Sequence, residues 1–384
     1  MIGTSPRPDV RSLSRADLLG KFADWNVPAY RADQTLDWLY RRRVSTWDAM
    51  TNLPRDLRGR LAESLDFSRP EAVRCQGSVD TTRKFLWRLQ DGALIETVLI
   101  PANPALYGDA SDRQTLCVST QVGCAYGCRF CASGLDGFKR NLSPAEIVGQ
   151  VIEVENYCGK EAAQQGLAAP QPGGERMIGN LVFMGMGEPL ANYENLIAAL
   201  RILNAEWGVG IGARKITVST SGLAPQIQRL ANEPPQFRLA ISLHGATDPV
   251  RDQIMPVNRK YPLKELAAAI EYYQEKKGRL ITFEYILIKG INDGKDQISP
   301  LAALSRRLHA KVNLIPYNTV EGLPWERPCE KAQERFLAGL QELGVTATLR
   351  REKGHDIDAA CGQLRLRTDR ELKPLTDDPG IPDK

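Results

Sequence analysis

The sequence predicts an α/β protein whose core is a parallel sheet, open or closed into a barrel. Two observations lead there. From about residue 115 to residue 343, short apolar runs alternate with longer segments that are apolar at every third or fourth position. Six or more such strand–helix units follow one another, the pattern of parallel strands joined by crossover helices. Composition agrees: 384 residues, 42% hydrophobic and 25% charged, describe a globular chain with room for one large and one smaller domain. The balance of 50 Lys+Arg against 46 Asp+Glu gives +4, too little to announce a nucleic-acid binder by charge alone. An N-terminus without an apolar signal-like core, and the lack of any run of eighteen apolar residues, argue against secretion or membrane insertion and for a cytoplasmic protein. The eight cysteines then read as reduced thiols rather than a disulfide framework.

In chain order, residues 1–10 form a polar, Pro-rich tail, and residues 13–66 read as three short helices. Their apolar stripes are Leu18, Leu19, Phe22 and Trp25; Leu36, Trp38, Leu39 and Tyr40; and Leu53, Leu57, Leu61 and Leu65. Arg41, Arg42 and Arg43 form a basic run, either a solvated face or a phosphate contact. Residues 84–89 and 93–100 flank Gln90-Asp91-Gly92 as a β-hairpin. A strand at 115–120 follows, and then Ser143-Pro144-Ala145-Glu146 opens a helix with a capping box. Strands are expected at 178–184, 215–220, 238–243, 280–288, 311–315 and 345–351, with helices at 193–207, 226–231, 263–276, 298–308 and 331–343. Segment 159–175 reads as a surface loop and 367–384 as a polar tail.

Between residues 117 and 131 the pattern changes again. Cys124, Cys128 and Cys131 are spaced C-x3-C-x2-C, and Gly123 and Gly127 allow the loop to bend. Three thiolates this close suit an iron–sulfur cluster, with one iron left open, or a zinc site completed by a distant ligand. The spacing, with Phe130 before the last cysteine, resembles the radical S-adenosylmethionine (SAM) signature.

Ligands of parallel α/β folds bind at the C-terminal ends of the strands. Polar residues recur there: Gly187 and Glu188 after 182–184, Ser219 and Ser221, Ser242 and His244, and Asn318. Each alone is an ordinary strand-end residue; together they line one rim. Glu96 shares a strand face with Leu94, Val98 and Ile100, either as a buried base with a raised pKa or as an edge glutamate in solvent. Cys361 sits among small residues in Asp356-Ile357-Asp358-Ala359-Ala360-Cys361-Gly362, where its sulfur would be accessible. Cys75, Cys158 and Cys329 have no company in the sequence.

Taken together, CVSTQVGCAYGCRFCASG, GFKRNL, FMGMGEPL, TVSTSG, ISLH, NLIPYN and DIDAACGQL resemble the RlmN/Cfr family of radical SAM RNA adenine methyltransferases, on its RlmN side, over about residues 30–365. The resemblance implies a partial (β/α)6 radical SAM barrel at 111–350. It adds an N-terminal helical accessory domain at 1–70, a β-hairpin extension at 71–110 and a C-terminal segment at 351–384. It also implies that Cys124, Cys128 and Cys131 bind a [4Fe–4S] cluster and that Gly187, Glu188, Ser219, Ser242, Leu243, His244 and Asn318 bind SAM. Cys361 would be the methyl carrier, Cys117 the resolving thiol and Glu96 the proton acceptor.

Adenine C2 is not nucleophilic, so in this family a first SAM methylates the carrier cysteine. A second SAM yields the radical that activates that methyl group for addition to the ring. Resolution then leaves a transient Cys117–Cys361 disulfide and methylated adenine. Implied partners are 23S rRNA, tRNA and an electron donor such as flavodoxin, with the enzyme a monomer. Arg41, Arg42, Arg43, Arg365 and Arg367 are candidate phosphate contacts. Two rivals stay open: a C8-methylating relative and a zinc-stabilised RNA-binding protein without catalysis.

Overall fold

The computed structural model describes residues 7–78, 82–101, 114–135, 137–164 and 176–350. The expected segment 351–384, with Cys361, Arg365 and Arg367, lies outside the described residues.

Three short helices open the fold: α1 (Arg15–Asp24), α2 (Tyr30–Leu36), which runs into a wide turn at Asp37–Arg41, and α3 (Arg55–Ser64). Ser14 and Asp17 cap α1 reciprocally. Leu18, Phe22, Leu36, Leu39, Leu57 and Leu61 are all buried, as the apolar stripes predict. The basic run is solvated only in part, with Arg41 and Arg42 exposed. Arg43 is buried, Arg42 lies 4.2 Å from the Trp38 ring and 2.9 Å from Asp37, and Arg41 donates to the Glu206 carbonyl at 3.4 Å.

Next come β1 (Glu71–Gly77), β2 (Arg83–Arg88) and β3 (Leu94–Ile100), an antiparallel meander whose last strand pairs antiparallel with β4 (Gln114–Cys117). A two-stranded ribbon, β5 (Gln121–Gly123) and β6 (Phe138–Asn141), carries the cysteine loop between its strands. Helix α4 (Pro144–Gln164) follows, opened by the expected Ser143–Glu146 capping box at 3.2 and 2.8 Å. It runs six residues into the segment expected to be a loop from 159, because Glu161, Ala162, Ala163 and Gln164 favour helix and Glu161 pairs with Arg83.

The remaining chain alternates β7 (Ile178–Phe183), α5 (Tyr193–Asn204), β8 (Ile216–Thr220), α6 (Ala224–Asn232) and β9 (Arg238–Ser242). Two helices, α7 (Asp248–Ile254) and α8 (Leu263–Lys277), precede β10 (Ile281–Leu287); then come α9 (Ile298–Arg307), β11 (Ala310–Pro316), α10 (Glu330–Glu342) and β12 (Ala347–Leu349). All twelve strands but β5 and β6 join one sheet ordered β1-β2-β3-β4-β7-β8-β9-β10-β11-β12. From β4 onward neighbours are parallel and in chain order, the winding of a barrel, while β1 and β12 end the sheet without pairing to each other. The chain therefore forms the expected partial barrel. The helices cover one sheet face: Thr97 bonds Gln150 of α4 at 2.9 Å, and Tyr285 stacks on Phe336 of α10. The opposite face, carrying Glu96, Ser242 and Glu284, turns inward.

Arg11 ties the N-terminal helices to the barrel. Fully buried, it reaches Glu153 of α4 at 3.3 Å, and Arg69 holds the other carboxylate oxygen at 3.0 Å. Removing Arg11 would leave Glu153 buried with a single, half-exposed partner. Arg11→Met should cost about 3 kcal/mol of unfolding free energy in denaturant titrations, the scale for breaking a buried pair from one side. Arg69→Met should cost less.

Candidate active site

The cysteine loop is anchored by backbone beyond β4. Val118 donates to Val182 at 2.9 Å, Gly185 to Val118 at 3.1 Å and Thr120 to Met186 at 2.8 Å, so the turn after β7 lies flat on residues 118–121. That approach has no room for side chains: a Cβ on Gly187, whose φ is +95°, would fall 2.5 Å from the Gln121 side chain. Gln121 uses the space. Its Oε1 accepts from the amides of Ala125 at 3.2 Å and Glu188 at 3.0 Å, and its Nε2 donates to Asn141 at 2.9 Å. One side chain therefore fixes the cysteine loop, the ribbon and the Glu188 turn together.

The loop folds back on itself. Cys124 N–H donates to Gly137 at 3.2 Å, Cys131 N–H to Cys128 at 3.1 Å, and a Cβ on Gly123 would meet the Gly137 carbonyl. From outside, Arg129 is held through its amide to Ile254 at 3.0 Å and through its carbonyl by Trp325 Nε1 at 2.9 Å. The three cysteines thereby line one open cleft with Phe130, Ser133, Gly187, Glu188, Ser219, Ser242, His244, Glu284 and Arg350 among its other walls.

Glu188 is buried, and burial raises its pKa; amide hydrogen bonds from Ser221 at 2.7 Å and Leu190 at 3.0 Å oppose that shift. Ser219 and Ser242 hydroxyls lie 3.4 Å apart on neighbouring strands. His244 has φ +55° and stands edge-on to Phe130, ring centroids 5.0 Å apart. Its Nδ1 accepts from Ile286 N–H at 3.1 Å, which leaves Nε2 as the protonated nitrogen. Burial, helped by Arg251, pushes its pKa down to about 3, so the ring is neutral at working pH. Asn292 clamps this corner through the His244 and Ile286 carbonyls at 2.7 and 2.6 Å. Behind it, fully buried Arg251 donates to the carbonyls of Leu243 (3.1 Å) and Ser221 and to Asn258.

Glu96 and Cys117 lie apart from that lining. Both are buried, and both share the inward sheet face, because Val98 stands directly opposite Cys117 and Glu96 is two residues from Val98. Glu96 is not alone among apolar neighbours as its strand pattern suggests: Lys84 Nζ, 0% exposed, lies 3.3 Å from its carboxylate. It is not a solvent-facing edge glutamate either. Leu243 is buried, its carbonyl engaged by Arg251, and half-buried Asn318 lies just beyond β11; neither side chain lines the cleft. Gln121, Arg251, Asn292, Lys84 and Glu284 are functional-site residues that sequence reasoning does not single out.

The residues present fit a cluster and a polar organic ligand. Burial and the neighbouring Cys131 and Cys124 push the Cys128 thiol well up, so all three sulfurs share one electrostatic site. Among the described residues no three His, Cys, Asp or Glu side chains close on a single ion, as zinc at about 2.3 Å from each sulfur would require. A four-iron body is larger and spreads its thiolates further apart. Ser133 Oγ, buried in the cleft lining and without a partner among the described residues, is an orphan that such contents would satisfy.

Residues 9–66 match the model of the ribosomal RNA large subunit methyltransferase N-terminal domain, and residues 118–298 that of the radical SAM superfamily. The chain is 51% identical, over 97% of its length and 99% of the relative's, to the probable dual-specificity RNA methyltransferase RlmN of Akkermansia muciniphila. A relative of the same description from Opitutus terrae is 53% identical over 97% of this chain and 98% of its own. The chain belongs to the RlmN family. The crystal structure of a radical SAM methyltransferase from Sphaerobacter thermophilus agrees with a TM-score of 0.83 at 44% identity, covering 93% of this chain and 98% of that one. This RlmN-family chain is thus a radical SAM RNA methyltransferase; its cofactors are a [4Fe–4S] cluster and SAM, two molecules per turnover. No helix among the described residues is long and apolar enough to cross a membrane.

The His244 environment is open to test. Its folded pKa of about 3 lies below the ordinary 6.5, so its burial costs nothing above pH 6.5. Stability should then fall as the unfolded state takes up the proton between 6.5 and 3. Its NMR resonance, identified by its loss in His244→Gln, should stay put from about pH 8 to about pH 5, where a solvated imidazole titrates. A midpoint near that of free histidine would contradict the geometry.

Proposed function

We propose that this enzyme methylates C2 of a specific adenine in 23S rRNA, and the adenine following the anticodon in some tRNAs, by way of a methylated cysteine. The observation that carries this reading is the convergence of the three-cysteine loop with Glu188, Ser219, Ser242 and His244 on one cleft at the strand ends. Cys124, Cys128 and Cys131 would hold the cluster. Gly187, Glu188, Ser219, Ser242, Leu243, His244 and Asn318 would hold SAM, Glu188 taking its ammonium group. Leu243 serves through its backbone, and Asn318 needs its segment to move inward. When bound, cluster and SAM supply methyl groups, one electron and a carbon-centred radical.

The remaining chemistry belongs to side chains. Cys361 takes a methyl group onto its sulfur, because sulfur is a good nucleophile and adenine C2 is not. With the methyl carbon joined to C2, Glu96 accepts the C2 proton and Lys84 stays beside the carboxylate. Cys117, as its thiolate, then attacks the Cys361 sulfur: the S–S bond forms as the carbon–sulfur bond breaks, the electron pair stays with the released methylene, which takes up a proton to become the methyl group, and the methylated base leaves. Cys117 and Glu96 sharing one inward face of adjacent strands supports this pairing of roles. The base must leave its stack to enter, which is cheapest in a loop. An external reductant such as flavodoxin, a monomeric enzyme and a cytoplasmic location complete the proposal. So does a division into residues 1–70 for RNA contact, 71–110 as a hairpin extension, 111–350 as the barrel and 351–384 as the carrier segment.

Nucleoside mass spectrometry of 23S rRNA and tRNA, with and without the enzyme, should show 2-methyladenosine that depends on it. 8-Methyladenosine would select the C8 rival, and colourless protein containing zinc, purified without air, the non-catalytic one. Cys117→Ala should accumulate a covalent RNA–protein adduct, visible as a shifted band on denaturing gels. Cys361→Ala should form neither adduct nor product. Normal turnover by Cys117→Ala would remove Cys117 from the mechanism.

A further inference from the structure

Across the inward face of the barrel runs a polar row that continues past the two serines. Ser219 on β8 lies 3.4 Å from Ser242 on β9. Ser242 stands in register with Glu284 on β10, Glu284 with Asn313 on β11, and Asn313 with Thr348 on β12. Asn313 Nδ2 donates to Glu284 Oε2 at 2.7 Å, and Thr348 donates to Asn313 Oδ1 at 3.5 Å. The alternation that buries Phe283 and Tyr285 under the helices turns Glu284 the other way, into the cleft it lines with Ser219, Ser242 and the cysteines.

A buried carboxylate needs hydrogen bonds to remain where it is. Asn313 satisfies one oxygen, and Glu284 Oε1 has no protein hydrogen bond among the described residues. Burial raises the Glu284 pKa, with the Asn313 hydrogen bond and Arg350 at the cleft rim opposing; Arg350 forms no ion pair with it. The free oxygen can only accept. It would repel the carboxylate of an amino acid, and with Glu188 taking the ammonium group in the proposed function, the donors left for it are those of a hydroxyl pair. Ser219 and Ser242, beside it in the row, are hydroxyls suited to the same sugar edge.

We infer that Glu284 is an unassigned ligand-binding residue whose Oε1 accepts from the ribose hydroxyls of SAM, with Asn313 and Thr348 positioning it. This rests on the SAM-binding reading of the Ser219–Ser242 wall. Glu284→Gln gives a near-isosteric probe. It removes the negative charge and turns one of the two carboxylate oxygens into an amide donor, so the charge-assisted bond to the ligand is lost in either amide orientation.

The test is calorimetric titration of the cluster-loaded protein, without air, with S-adenosylhomocysteine, methionine and an RNA oligonucleotide containing the target adenine. Glu284→Gln should bind S-adenosylhomocysteine about tenfold or more weakly, the loss expected for a hydrogen bond to a charged group. Methionine, which carries the amino and carboxylate groups without the sugar, should bind both proteins equally, and iron content should match. Unchanged S-adenosylhomocysteine affinity overturns the inference. So does an equal loss for methionine, which would mean general damage, or a loss confined to RNA, which would give the contact to the substrate nucleotide. If wild type binds neither S-adenosylhomocysteine nor methionine, the failure belongs instead to the SAM-binding reading.

Discussion

The contact between the turn at Gly185–Glu188 and the chain at Val118–Gln121 is the constraint on which the site depends. Main chain meets main chain there, at 2.8 to 3.2 Å over several hydrogen bonds, and glycine at 185 and 187 is the condition for it. A Cβ at 185 would sit 2.7 Å from the Ser119 hydroxyl, which bonds the Met186 amide and the Glu96 carbonyl. Loosening this contact would shift the Glu188 turn, the cysteine loop and the backbone of β3 together. The same contact thus sets the position of the cysteine loop and of the Glu188 carboxylate relative to each other.

The architecture was largely legible because it depends on local pattern. Apolar periodicity placed the barrel strands and most helices to within a few residues, and the Ser143–Glu146 box placed the start of α4. What stayed hidden depends on distance or brevity. Strand β1 is an edge strand with mostly exposed residues, so alternation has little to act on. The β5–β6 ribbon has three and four residues, and α7 has seven, too few to show a period. Arg43 illustrates the opposite error: an arginine in a basic run reads as surface, yet the turn after α2 buries it.

The site divides along the same line. Residues that touch the cleft from strand ends were readable, since register fixes their direction. Gln121 and Arg251 were not, because each works through backbone groups of segments remote in sequence. Glu284 did leave a signal, as the only charged residue of its strand, and Lys84 a weaker one, beside the apolar run Phe85-Leu86-Trp87. Two such residues on paired strands, Lys84 and Glu96, are as informative together as a motif, since burying either alone would be costly.

The charge inventory of the cleft also bears on what it holds. Its lining carries the carboxylates of Glu188 and Glu284 and three thiols, against Arg350 at the rim and Arg251 behind the wall. Burial first, then the sister cysteines and last Glu188 push the Cys128 thiol up, while Arg251 pulls it down. Neutral His244 contributes no charge to this balance. Deprotonating three thiols here therefore demands positive charge delivered into the cleft itself. In the proposed function iron held by the three cysteines would supply it, and a sulfonium ligand with an ammonium group would supply more beside Glu188. An anionic substrate such as RNA gains nothing from these walls. In the proposed function its phosphates would be held elsewhere, with only the neutral base entering.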